Sequence, residues 1–233
     1  MPKAEGEATI MKLLLCVPAL NYIEPALASL SVSPQPVNAY TSSVKILQHE
    51  VDILQTGSAI YETTYKLTKA LSSNKYHLAL KLSTGGAYKP ELPTGSILNI
   101  VNEKPADFGT YTDGTWHDIY DLKLADNTAP PHVRGGLVNM TNAYMNVFLP
   151  IKKVVGITVN HFANKNEVAL RREKYKADCE TTTGAGFAYT CLFEKQTFYH
   201  ICAVERNLAT GEENYNLAIT NMNAALVDIL QKI

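Results

Sequence analysis

The sequence predicts an α/β domain built around a parallel sheet, and three observations carry that expectation. Apolar runs of strand length alternate with stretches of helical period through most of the 233 residues. Strand, helix and strand follow one another between Val51 and Leu82 at a spacing that requires a right-handed crossover between parallel strands. With 46% hydrophobic and only 18% charged residues, the chain can fill one sizeable core and is not a disordered tail.

The elements follow in order. Residues 1–10 (MPKAEGEATI) lack periodicity and are expected to be a flexible leader, ahead of one domain over 11–233. MKLLLCVPAL, from Met11, has the charged start and apolar middle of a secretion signal, but Asn21, Tyr22, Glu24 and Pro25 end it too soon. A buried parallel strand explains the same run. Ile23 to Leu30 has the length of a short helix, and the Pro and Ser of SVSPQPV break the pattern after it. VDILQT (Val51–Thr56) reads as a second buried strand. Gly57 follows, and then a helix over Ser58 to Leu71 with Ile60, Thr64, Leu67, Ala70 and Leu71 on one face. HLALKL (His77–Leu82) is a third strand, ending in Ser83-Thr84-Gly85-Gly86-Ala87. Ser96 to Glu103, Val154 to Thr158 and Phe198 to Val204 are further strands, and Thr183 to Phe193 and Tyr215 to Ile233 are helices. Between Lys104 and Asn139 the pattern loosens. Trp116, Ile119, Tyr120 and Leu122 there offer apolar area either to a second subunit or to their own chain.

Composition excludes several classes of function. Twenty-one Lys and Arg against 22 Asp and Glu leave a net charge of −1, with no field to attract nucleic acid or an anionic membrane surface. No apolar run approaches the roughly 20 residues of a membrane span. Cys16, Cys179, Cys191 and Cys202 form no CxxC pair and stand among apolar neighbours, as reduced thiols of a cytoplasmic protein do. Asp113, Asp118 and Asp121 make no metal-ligand spacing with His117 and His132, so neither metal nor cofactor is expected. Asn139-Met140-Thr141 matches a glycosylation sequon, which matters only in a secreted chain. Arg171-Arg172 reads as part of a solvated face.

Parallel sheets gather ligands beyond the carboxyl ends of their strands. The loops to search are therefore Val17 to Tyr22, Thr56 to Ile60, Ser83 to Tyr88, Thr158 to Phe162 and Glu205 to Leu208. Gly85-Gly86 fits either a tight turn or a close backbone approach to a ligand. His161 and Phe162 either line the pocket, Phe162 stacking on a planar ligand, or pack at a strand end. His200, inside FYHICAV, reads as a satisfied sheet histidine.

Five segments in this order, VDILQTGSAIYETTYKLTKAL, LSTGGAYKPELPTGSILNIVNEKPADFGTYTDGTWHDIYDL, GITVN, ETTTGAGFAY and NYNLAITNMNAALVDIL, resemble futalosine hydrolase, of the purine nucleoside phosphorylase and nucleosidase superfamily. The resemblance runs from about Met11 to the C-terminus. It implies a three-layer α/β/α fold with a mixed, partly barrel-like central sheet, a homodimer, a nucleoside-like ligand and, through the futalosine branch, a connection to menaquinone biosynthesis. Members cleave the bond between a purine-type base and ribose through an oxocarbenium-like transition state. A Glu after the first strand orients water, the Glu of a Met-Glu-Gly-Ala stretch grips the ribose hydroxyls, and an Asp or Asn after the last core strand lies near the base nitrogen.

The sequence departs from that pattern at all three places. Alignment puts Tyr22 at the first Glu, Thr182 and Thr183 at the Met-Glu pair, Cys202 where Arg is common, Glu205 at a Ser, and Arg206 at the Asp or Asn. A threonine hydroxyl still bonds a sugar but lacks the charge that steadies a cation. Arg206 stays protonated and is no ordinary general acid. Each lost acid–base group forfeits about 10²- to 10⁴-fold in rate. CVPALNY has no glycine, so phosphorolysis lacks its phosphate cradle. Three expectations result. The first is a pocket that binds a nucleoside-like or aromatic ligand through Gly85, Gly86, Thr158, His161, Phe162, Thr182 and Thr183 with N-ribosyl hydrolysis lost or strongly reduced. The second is an enzyme of altered chemistry, in which Arg206 holds an anionic substrate and Tyr22, His161 or Glu205 moves protons, Glu24 being a further acidic substitute. The third is a non-catalytic structural subunit.

Overall fold

A computed structural model describes residues 10–112, 114–160 and 165–233. The expected leader, apart from Ile10, and Asp113, His161 and Phe162 lie outside the described residues. In chain order the elements are β1 (Lys12–Val17), a single 3₁₀ turn (Leu20–Tyr22), α1 (Glu24–Ser29), β2 (Gln35–Asn38), β3 (Thr41–Ile46), β4 (His49–Gln55), α2 (Ile60–Ser73), β5 (Leu78–Ala87) and β6 (Ile97–Pro105). There follow β7 (Gly109–Thr112), β8 (Thr115–Asp118), β9 (Leu137–Val138), α3 (Met145–Phe148), β10 (Lys152–Thr158), α4 (Lys165–Tyr175), β11 (Cys179–Thr181), α5 (Gly184–Phe193), β12 (Phe198–Asn207), β13 (Glu212–Glu213) and α6 (Tyr215–Lys232).

The apolar run after Met11 is a strand because both of its faces are covered. Leu13, Leu15 and Val17 join one core cluster with α1 and α6, while Leu14 and Cys16 join another with α2 and α5. Two helical layers thus sandwich the sheet. β1 lies between β4 and β5, parallel to both, as the crossover required. Beyond β5 the sheet curls back on itself: β5 pairs with β12, β12 with β6, β6 with β10, β10 with β11, and β11 with β5. This closes a five-stranded mixed ring, and each of its strands contributes to the cluster of Ala87, Leu98, Ile100, Val154, Cys179, Cys202 and Val204. The sheet is therefore mixed and partly barrel-like.

The four cysteines are unpaired and buried. Burial pushes the Cys16 thiol up to about 12, so it stays protonated. No helix among the described residues is long and apolar enough to cross a membrane.

Several expectations change. β5 does not end at Leu82 but runs through Gly85 and Gly86 as strand. The glycines permit it: a Cβ on Gly85 would sit 2.3 Å from the Glu180 carbonyl oxygen of β11. β12 likewise continues past Val204 to Asn207, with its register to β5 shifting between Val204 and Arg206, so that Glu205 is a bulge residue. The Pro-containing segment after α1 forms the exposed edge strand β2, where a missing N–H is tolerated. Arg171 is buried inside the fold instead of lying on a solvated face, whereas Arg172 is exposed. Part of the loose segment forms the β7–β8 hairpin. Trp116 there packs on its own chain, its Nε1 donating to Tyr175 Oη at 2.9 Å.

Candidate functional site

At the carboxyl ends of β1, β5 and β12 a cavity of about 180 Å³ opens between the 3₁₀ turn, the β11–α5 junction and the β12 bulge. A larger depression of about 390 Å³ lies beside α6, away from the strand ends, and includes none of the expected site residues. The smaller cavity brings together Tyr22, Gly85, Thr182, Thr183, Glu205 and Arg206 of the expected site, with Ser83, Thr84, Glu180 and Thr181 in addition. Gly86 and Thr158 do not line it, and neither does Glu24, which stands exposed at the start of α1.

Tyr22 owes its place to the turn after β1. Asn223 of α6 holds that turn, its Nδ2 donating to the Tyr22 carbonyl at 2.9 Å and its Oδ1 accepting from Ala26 N at 2.9 Å. The Tyr22 ring meets Tyr215 edge-on, with centroids 6.3 Å apart. Burial and the neighbouring Tyr22 push the Tyr215 hydroxyl up to about 12, so that this phenol enters chemistry near neutrality only as a hydrogen-bonding group.

The electrostatic centre is a residue that sequence reasoning passed over. Glu180 is 2% exposed, and Arg206 Nη2 donates to its Oε1 at 2.9 Å while Arg171 Nη1 lies 3.7 Å from Oε2. Tyr88 Oη also donates to Oε2. Burial first, and then the adjacent carboxylate, drives the Tyr88 hydroxyl far above its ordinary range. The carboxylate at the cavity is thus compensated on several sides and is not an uncommitted base. Glu180 stands next to the aligned threonines in ETTTGAG, and its position in sequence was the available signal. Arg171 and Tyr88 gave none, because the pairing joins segments far apart in the chain.

Thr158 has a supporting role. Its Oγ1 accepts from Ala185 N at 2.7 Å at the start of α5 and donates to Glu103 Oε1 at 2.7 Å. Thr181 Oγ1 similarly accepts from Gly184 N at 3.2 Å. These threonines satisfy the first amides of α5, whose N-cap Thr183 makes no side-chain cap, and leave the Thr183 side chain to the cavity.

On the α5 side of the sheet lies a buried polar row. Lys81 Nζ has no hydrogen-bond partner among the described residues, and burial lowers its pKa. His200 is 1% exposed and its Nε2 lies 2.8 Å from Ser83 Oγ. Its Nδ1 faces Glu103 Oε2 at 3.6 Å. The expected sheet histidine therefore connects to the cavity wall. No group of three or more His, Cys, Asp or Glu residues able to hold a metal occurs among the described residues.

No protein-family model and no curated protein sequence matches the chain. Solved structures do. The chain is similar to the 5'-methylthioadenosine/S-adenosylhomocysteine nucleosidase of Campylobacter jejuni, with a TM-score of 0.78 and 17% identity over 96% of this chain and 100% of that one. The corresponding nucleosidase of Colwellia psychrerythraea, solved in complex with adenine, gives 0.77 and 15% over 96% of each chain. Futalosine hydrolase of Helicobacter pylori gives 0.76 and 13% over 96% of this chain and 99% of that one. The two helical layers, the mixed sheet and its closed ring are accordingly the nucleoside phosphorylase-like fold that these nucleosidases share.

Proposed function

We propose that the cavity between β5, β11 and β12 binds a nucleoside-like or aromatic small molecule, and that conventional hydrolysis of an N-ribosyl bond is lost or strongly reduced there. The observation that carries this reading is the Arg206–Glu180 pair. A permanent cation stands in the cavity, and the buried carboxylate beside it is committed to Arg206, Arg171 and Tyr88. A sugar that becomes cationic in its transition state gains little from such surroundings. The hydroxyls of Thr182 and Thr183 and the phenol of Tyr22 still offer bonds to a polyhydroxylated or planar ligand. Similar folds include a nucleosidase bound to adenine, which supports the ligand class.

The test is incubation of concentrated protein with futalosine, methylthioadenosine and inosine, followed by chromatography for free base. Thermal shift with the same compounds and their free bases measures binding. Stabilisation without base release is the expected result, and rapid release from any of them refutes the reading.

A homodimer belongs to the same proposal. Phe108, Leu124 and Phe193 are 66%, 75% and 62% exposed. An aromatic series from Tyr120 through His132 and Tyr189 to Phe193, with successive centroids 6.0, 5.9 and 5.7 Å apart, joins the irregular segment to α5. Such a surface favours association with a second copy.

A further inference from the structure

We propose that Ser83 is a nucleophile, activated by His200 and oriented through Glu103, for acyl transfer from a small carboxylic ester held in the same cavity. Ser83, on β5, forms part of the cavity wall, and its Oγ lies 2.8 Å from His200 Nε2 on the neighbouring β12. His200 Nδ1 lies 3.6 Å from Glu103 Oε2 on β6. With its proton on Nδ1, on the side of the carboxylate, the imidazole leaves Nε2 to accept from the serine hydroxyl. That arrangement gives nucleophile, base and orienting acid, a constellation defined by geometry and not by order in the chain.

The orienting carboxylate is itself fixed. Thr158 donates to Glu103 Oε1 at 2.7 Å, and the carboxylate lies so close to the start of α5 that a Cβ on Gly184 would come within 2.4 Å of it. Both His200 Nδ1 and Glu103 Oε2 are buried and have no hydrogen-bond partner among the described residues. The two face each other at 3.6 Å, with Lys81 close enough to act electrostatically on both, and contacts of this kind often tighten when a substrate binds. Burial holds the His200 pKa below its ordinary value, so the ring is a neutral base near neutrality.

In the reaction Ser83 Oγ bonds to the ester carbonyl carbon, its proton passes to His200 Nε2, and the carbonyl π pair moves to oxygen. As that pair returns, the bond to the leaving alcohol breaks and the departing oxygen takes the proton from His200. Water then bonds to the acyl carbon as its proton passes to His200 Nε2, the carbon–Oγ bond breaks, Ser83 Oγ takes that proton back, and the carboxylic acid leaves. Ester and water become acid and alcohol, with no change in oxidation state.

The inference shares with the proposed function only the cavity as a binding site. Covalent labelling reads Ser83 itself, so labelling can fail while nucleoside binding persists, and the reverse. The intact protein is treated with a small alkyl fluorophosphonate and analysed by mass spectrometry and peptide mapping. The expected result is a single adduct on Ser83, absent from Ser83→Ala. His200→Gln should slow labelling about 10²- to 10⁴-fold, and Glu103→Gln should slow it less. Hydrolysis of p-nitrophenyl acetate should follow the same order. Circular dichroism checks that each variant folds. If His200→Gln does not fold, the pH profile of the wild-type labelling rate replaces it: level through neutrality and falling only below the ordinary histidine range. Absence of an adduct on folded wild-type protein, an adduct that survives Ser83→Ala, or a rate indifferent to both His200 and pH overturns the proposal.

Discussion

Glu180 is a buried carboxylate at the cavity, and its charge depends on every partner it has. Arg171 is 6% exposed, and removing it by Arg171→Ala leaves charge in a low-dielectric setting with one fewer compensating cation. The expected cost is about 3 kcal/mol, measured by urea denaturation, and Arg171→Lys should restore only part of it. Lys81 runs the other way. Burial lowers its pKa, so at pH values between its folded and ordinary values the unfolded chain binds more protons than the folded one. Stability therefore rises with pH through that interval and falls on acidification. Lys81→Met should stabilise the protein by about 1–2 kcal/mol near neutrality and flatten that slope, which denaturation at several pH values will record. That Tyr22, Glu205 and Arg206 line the cavity was legible from the alignment with the resembling family and from apolar runs that stop just before them. The ion pair of Arg171 with Glu180 was not, since a doublet of arginines gives no sign of which one turns inward.

Among the elements, the outcome was decided by pairings that no local pattern encodes. The strands after Met11, Val51, His77 and Phe198 and the helices α2, α5 and α6 were legible in their periodicity. The extents of β5 and β12 were not, because Gly85, Gly86 and Glu205 read as loop residues until a neighbouring strand is in place. A comparable long-range dependence ties α6 to the turn that carries Tyr22. Asn223 spans them with one accepted and two donated hydrogen bonds, to Ala26, Tyr22 and Ile219. Asn223→Ala strands buried backbone groups and should cost about 2 kcal/mol in thermal or urea unfolding. It should also weaken binding of any ligand that contacts Tyr22, which the thermal-shift titration of the cavity will report.

For the whole molecule, the alternation of elements announced a parallel sheet with helical crossovers. The two helical layers and the mixed, partly barrel-like sheet came only with the resemblance to a known family, because ring closure depends on register and not on composition. The exposed aromatic surface leads to a prediction at this scale: light scattering coupled to gel filtration should give twice the mass of the chain. Leu124→Asp combined with Phe193→Asp should return it to a single chain without changing its circular dichroism, if that surface is the contact.

β5 is hydrogen-bonded to β1, β12 and β11, and the Gly85 position leaves no space for even one methyl group. Variation in ligand preference among descendants of this protein should therefore accumulate in the Thr182–Thr183 junction and at Glu205, while Gly85 and Gly86 stay almost unvaried. Random mutagenesis with selection for a new ligand would find its successes at the rim and its casualties on the floor.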